Sequence, residues 1–99
     1  MKILHKKYDH GVQSIQLRTE DDVPLVSVGV MFPGTYDFGV AEHKEVVKVT
    51  MGQMTINNVM YSHGDHRVCE IQVGEPVKIS CVNYATWQTL FGNFGREGL

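Results

Sequence analysis

The stretch LVSVGVMF, residues 25–32, sends Val26, Val28, Val30 and Phe32 to one side of an extended chain and Leu25, Ser27, Gly29 and Met31 to the other. The same two-residue alternation recurs along most of the chain, while apolar residues at helical spacing are hard to find. An all-β domain is therefore expected. Neither face of 25–32 carries a charge, which suits a strand in the middle of a sheet. Pro33-Gly34 should then reverse the chain in a tight turn, so that TYDFGV (35–40) runs back with Tyr36, Phe38 and Val40 on one face.

Further strands are expected at VQSIQLR (12–18), VVKVTM (46–51), QMTIN (53–57), VMY (59–61), RVCEIQV (67–73), VKISCV (77–82) and TWQTLF (86–91). Gly, Asn, Asp and Pro clusters separate them. Residues before 12 read as a basic lead-in, and 92–99 has no pattern and is expected to be a mobile tail. Roughly eight or nine short strands at regular spacing fit a sandwich or a closed barrel, which removes exposed edges. A chain of 99 residues is too short to divide into two cores, so residues 1–99 should form a single domain.

Composition excludes several classes of function. Net charge is −2 and the nine lysines and arginines are scattered, so no track for a nucleic-acid backbone is visible. No apolar run approaches the roughly 18 residues that span a bilayer, and MKILHKKYDHG lacks the apolar stretch of a secretory signal. A cytoplasmic protein without a membrane partner is expected, with Cys69 and Cys81 reduced. Each cysteine sits within alternating apolar residues and should pack as a small core side chain.

Two polar clusters are candidates for chemistry. SHGDH (62–66) supplies His63, Asp65 and His66, which with His43 are ligand types for a transition metal. There is no HxH pair to aim two rings into a barrel, and the segment reads more simply as a hairpin loop between strands. The second cluster, Glu42, His43, Lys44 and Glu45, follows the Tyr36–Phe38 strand. A glutamate there, at the mouth of a barrel and partly desolvated, could act as a base or orient a hydroxyl. Fingerprints for phosphate loops, dinucleotides and nucleophile elbows are absent.

Tyr8, Gly11, Val12, Ser14 and Ile15, then Ser27 to Met31, then Gly34, Tyr36 and Phe38, then Ala41, Glu42 and Glu45, and finally Met51-Gly52 form an ordered series. On these residues the chain resembles the pyrimidine/purine nucleoside phosphorylases, a family of small single-domain cupins. The likeness is strongest in the first half. In the second half, GEPVKISCVNYATW stands opposite the family's usual turn, with Val77 in place of a phenylalanine, and a second register that puts the closing strand through Cys81 remains open.

The resemblance implies a cupin-like jelly-roll β-barrel and phosphorolysis of purine and pyrimidine nucleosides to free base and ribose 1-phosphate. It implies a pentosyltransferase with inorganic phosphate as co-substrate, no cofactor and no metal, acting as a homodimer. Glu42 and Tyr36 are the catalytic candidates in the matched region, with Phe38 for the substrate; Lys48 and Arg67 are candidates for phosphate from their charge. Two other readings stay open: a barrel that binds a small metabolite without turning it over, and a metal-dependent cupin.

Overall fold

The computed structural model describes residues 1–8 and 11–92. These residues form ten strands: β1 (Lys2–Tyr8), β2 (Val12–Arg18), β3 (Pro24–Met31), β4 (Gly34–Val40), β5 (Glu45–Met51), β6 (Gln53–Ile56), β7 (Val59–Ser62), β8 (Cys69–Ile71), β9 (Pro76–Cys81) and β10 (Ala85–Phe91). Two antiparallel sheets result, one in the order β1-β2-β3-β10-β5-β8 and the other β4-β9-β6-β7. Among the described residues no helix is long and apolar enough to cross a membrane.

The pairing is nested. β6 pairs with β7, β5 with β8, β4 with β9 and β3 with β10, as if one long hairpin had been rolled around a barrel. That is the jelly-roll arrangement, and β1 and β2 extend one of its sheets beyond β3. The innermost hairpin turns at Asn57-Asn58, both with positive φ (49° and 70°), the geometry that matches a two-residue turn to the twist of its strands.

Three sequence expectations are corrected here. The lead-in KILHKKY is a strand, although it has little alternation of its own; its register against β2, Lys2 opposite Arg18 through Tyr8 opposite Val12, defines it. Pro33-Gly34 does not send β4 back along β3. β3 pairs with β2 and β10, while β4 crosses to the other sheet and pairs with β9. Likewise SHGDH is not a hairpin loop, because β7 belongs to one sheet and β8 to the other.

Tyr36 holds the first of these corners. Its hydroxyl donates to the carbonyls of Phe32 and Pro33, at 3.0 and 3.3 Å, and the Phe32 N–H donates to the Gly11 carbonyl at 2.7 Å. The ring leaves no room for a side chain at Gly11.

The core lies between the sheets, around Val12, Met31, Val49, Met54, Ile56 and Ile71. β3 does run in the middle of a sheet, but only one of its faces is covered. Ser27 and Met31 are buried, whereas Val28 is 46% exposed on the outer side. The inner face needs its small residues, since a Cβ at Gly29 would strike the Trp87 ring. Ile3, Ile15 and Val28 consequently share an exposed apolar strip on the outside of β1, β2 and β3.

Candidate functional site

One end of the barrel is hollow. A cavity of about 300 Å³ opens between the two sheets, within the range of small-molecule sites. Tyr8, Phe38, Trp87 and Phe91 give it aromatic walls, and Val47, Val77 and Ile79 an apolar floor. Tyr8 meets Phe38 edge to face with centroids 5.0 Å apart, so two of these rings brace one another.

Its polar groups come from alternate residues of the strands. β2 directs Ser14, Gln16 and Arg18 inward, β3 adds Ser27, and β10 adds Thr89. Ser14, Gln16, Ser27 and Thr89 are all buried as residues. Among the described residues, no side-chain hydrogen bond ties the hydroxyls of Ser14, Ser27 or Thr89 to other protein groups, and none of their oxygens is sealed from the cavity without a partner. Hydroxyls in that situation are available to a ligand.

Arg18 is fixed at the rim. Its Nε–H donates to Gln16 Oε1 at 2.5 Å and its guanidinium donates to the Asp22 carbonyl at 3.1 Å. A register shift beside it, where Arg18 lies opposite Pro24 instead of Leu25, brings Pro24 to the cavity wall. Lys6 lines the same side from β1.

Glu42 and His43 from the β4–β5 connection and Glu45 at the start of β5 line the cavity from a separate segment. Burial raises the Glu45 carboxyl from the usual 4.5 to about 6, so near neutral pH it exchanges a proton readily. Alternation makes its orientation intelligible: Glu45 shares the inward side of β5 with Val47 and Val49, which are buried, whereas Lys48 between them is exposed.

The sequence candidates therefore separate. Glu42 and Phe38 line the cavity. Tyr36 is buried at the β3–β4 corner with its hydroxyl on backbone carbonyls, and it does not line the cavity. Lys48 faces outward on β5, and Arg67 lies on the β7–β8 connection. There the Arg67 guanidinium donates to the Met60 carbonyl at 2.6 Å and to Asp65 at 3.1 Å, and it stacks 5.0 Å from the Tyr61 ring centroid. Neither cation lines the cavity.

Asp65 also accepts from the backbone N–H groups of Arg67 and Ser62, which hold its carboxyl below the usual carboxylate range. Its oxygens are thereby spent on closing the loop. Among the described residues no group of three or more His, Cys, Asp or Glu side chains could hold a metal ion. Cys69 and Cys81 are free thiols buried in the core, and burial pushes both thiols up.

The sequence signature of the pyrimidine/purine nucleoside phosphorylases matches residues 4–84, which carry this cavity except for its β10 wall. The chain belongs to that family. A pyrimidine/purine nucleoside phosphorylase of Alcanivorax borkumensis is 40% identical over 53 residues, 54% of this chain and 53% of the relative. The match thus spans about half the length of the relative.

Solved structures agree on the shape of this family member. A protein of unknown function from Vibrio parahaemolyticus superposes with a TM-score of 0.74 at 22% identity, over 91% of this chain and 98% of the other. The cupin domain of Drosophila melanogaster CENP-C gives 0.68 at 12% identity, over 92% and 76%. The fold is that of a cupin.

Sequence reasoning about this phosphorylase-family chain missed Lys6, Ser14, Gln16, Arg18, Ser27 and Thr89 as cavity residues. A signal was present in β2, where Ser14, Gln16 and Arg18 share a parity opposed to Ile15 and Leu17. Nothing local says which parity faces inward.

Proposed function

We propose that this protein cleaves the N-glycosidic bond of purine and pyrimidine nucleosides by phosphorolysis. Family membership supports the reaction class. The observation that carries the reading to a site is Glu45, a carboxyl held at about 6 in a cavity walled by aromatic rings. A phosphate oxygen attacks the anomeric carbon, the carbon–nitrogen bond breaks, and its electron pair leaves with the base. Glu45 supplies the proton that the departing base takes up, then regains one from water through the mouth. The products are the free base and ribose 1-phosphate.

The sugar carries developing positive charge as the base leaves, and Glu42 on the same segment adds a carboxylate facing it. Phe38 and Trp87 offer flat faces to the base, a contact that purines and pyrimidines share. Tyr36 holds the β3–β4 corner and so keeps Phe38 in place, two residues along the same strand. No step calls for a metal or an organic cofactor.

Incubation of the purified protein with uridine or adenosine, with and without phosphate, tests the reading. Free base is expected only when phosphate is present. Base release without phosphate would make the protein a hydrolase, and nucleoside binding with no release would leave a metabolite-binding barrel in its place.

A further inference from the structure

The polar groups of the cavity are segregated by sign. Its lysine and arginine, Lys6 and Arg18, stand on the wall built by the β1–β2 hairpin, and Glu42 and Glu45, with the imidazole of His43 between them in sequence, stand on the β4–β5 segment. Asp22 also borders the cationic side, but its carboxylate is engaged by Lys2 at 3.2 Å. Among the described residues, neither Lys6 nor Arg18 is paired with a carboxylate. Two cations facing a confined space without carboxylate partners create a field that favours an anion.

Gln16 sharpens this. It is 6% exposed, and its Oε1 accepts from Arg18 Nε. With the oxygen spent on the guanidinium, the amide NH2 is the group left for the cavity, so Gln16 becomes a donor. The bond also restrains Arg18, whose other anchor is the Asp22 carbonyl, and leaves guanidinium N–H groups for an anion. Across the strand pair, Lys6 lies opposite Ser14, whose hydroxyl lines the cavity as well.

We propose that the inner wall of the β1–β2 hairpin is a subsite for a phosphate dianion, with Arg18 and Lys6 as its cations and Gln16 as the positioning residue. Resting on the phosphorolysis reading, this orients the reaction: phosphate approaches from the hairpin side and the base departs toward Glu45. Attack and departure on opposite sides are what displacement at the anomeric carbon requires. The hairpin, which lies outside the nested eight strands of the jelly roll, thereby gains a chemical purpose.

The test measures phosphate and nucleoside separately. Inorganic phosphate alone is titrated into the wild type, Arg18→Ala, Arg18→Lys and Gln16→Glu by calorimetry, and the two Michaelis constants are determined for each protein. Arg18→Ala is expected to weaken phosphate by about tenfold or more while moving the nucleoside KM by less than about twofold. Gln16→Glu preserves the side-chain volume but sets a carboxylate against Arg18, and should likewise raise the phosphate KM selectively. Arg18→Lys should recover part of the loss, and thermal melts confirm that each variant is folded.

Unchanged phosphate affinity in Arg18→Ala, or an equal rise in both constants, overturns the subsite. Phosphate binding that disappears in Arg18→Ala without any base release by the wild type upholds the subsite and removes phosphorolysis. Phosphate-dependent base release whose phosphate KM is unchanged in Arg18→Ala does the reverse.

Discussion

Gly29 on β3 lies directly beneath the indole of Trp87 on β10, its neighbour across the sheet. A Cβ at Gly29 would come within 2.5 Å of the ring and 2.6 Å of the Gln13 carbonyl, so the inner surface of β3 is kept narrow to admit the one tryptophan. Gly29→Ala should destabilise the fold by roughly 1–3 kcal/mol, because the ring and the β2 backbone must both shift. For a domain of this size that is a fall in melting temperature of at least about 4 °C. Thermal unfolding followed by tryptophan fluorescence checks this, and a melt identical to wild type would contradict the packing.

Glu45 couples stability to pH in a definite direction. Its folded carboxyl titrates at about 6 against an ordinary 4.5, so the folded state holds the proton more tightly than the unfolded chain. That contribution favours folding fully below pH 4.5 and is lost as pH rises through 6, at a cost of up to about 2 kcal/mol above it. Glu45→Gln should therefore raise the melting temperature at pH 8 and leave it nearly unchanged at pH 4. In phosphorolysis the same variant should lower kcat and abolish the decline of rate above pH 6, measured at constant phosphate dianion.

Tyr36 and Glu45 can be told apart by what their loss affects. Tyr36→Phe removes the hydrogen bonds to Phe32 and Pro33 at the corner and should cost about 1 kcal/mol of stability. Its effect on kcat should be small, since the hydroxyl does not reach the cavity. Denaturant titration alongside steady-state kinetics separates the two, and a large loss of kcat at full stability would return Tyr36 to the catalytic group.

Lys48→Ala and Arg67→Ala should both leave the phosphate KM within about twofold of wild type, because neither side chain borders the cavity and exposed charges act weakly through solvent. Arg67→Ala should also loosen the β7–β8 connection, read as faster amide hydrogen exchange at Asp65 and Arg67, whose guanidinium bonds are lost.

The exposed strip of Ile3, Ile15 and Val28 bears on assembly. Apolar surface that crosses three adjacent strands is the kind that associating proteins cover, and a second copy related by a two-fold axis would present the same strip. A homodimer through this outer face is expected by sedimentation. Val28→Asp should shift it to monomer with the barrel intact, and an unaltered dimer would exclude this face.

Much of the strand pattern was legible because burial on one side of a strand writes a period of two into the chain. β2 through β10 could be read that way, with ends displaced by a residue or two and β8 shorter than its apolar pattern suggests. β1 could not, since KILHKKY draws its conformation from pairing with β2. The site was half legible. The cluster at 42–45 stood out as charge beside a strand, but the parity of Val47 and Val49 makes Glu45 the half-buried carboxyl, while Glu42 remains exposed at the rim.

What the sequence determined by itself is the all-β character and the family, because alternation, turn residues and an ordered motif series are local properties of the chain. Only the tertiary structure decided which side of each strand faces inward and which strands become neighbours. β2 shows why: Ile15 and Leu17 look like its core face, yet Ser14, Gln16 and Arg18 point inward, since the interior at that end is a polar cavity and not packed hydrocarbon. Pairing partners far apart in sequence, β3 with β10 and β10 with β5, bring Arg18, Trp87 and Glu45 around one space. No local pattern encodes that convergence, which follows from rolling the nested hairpin closed.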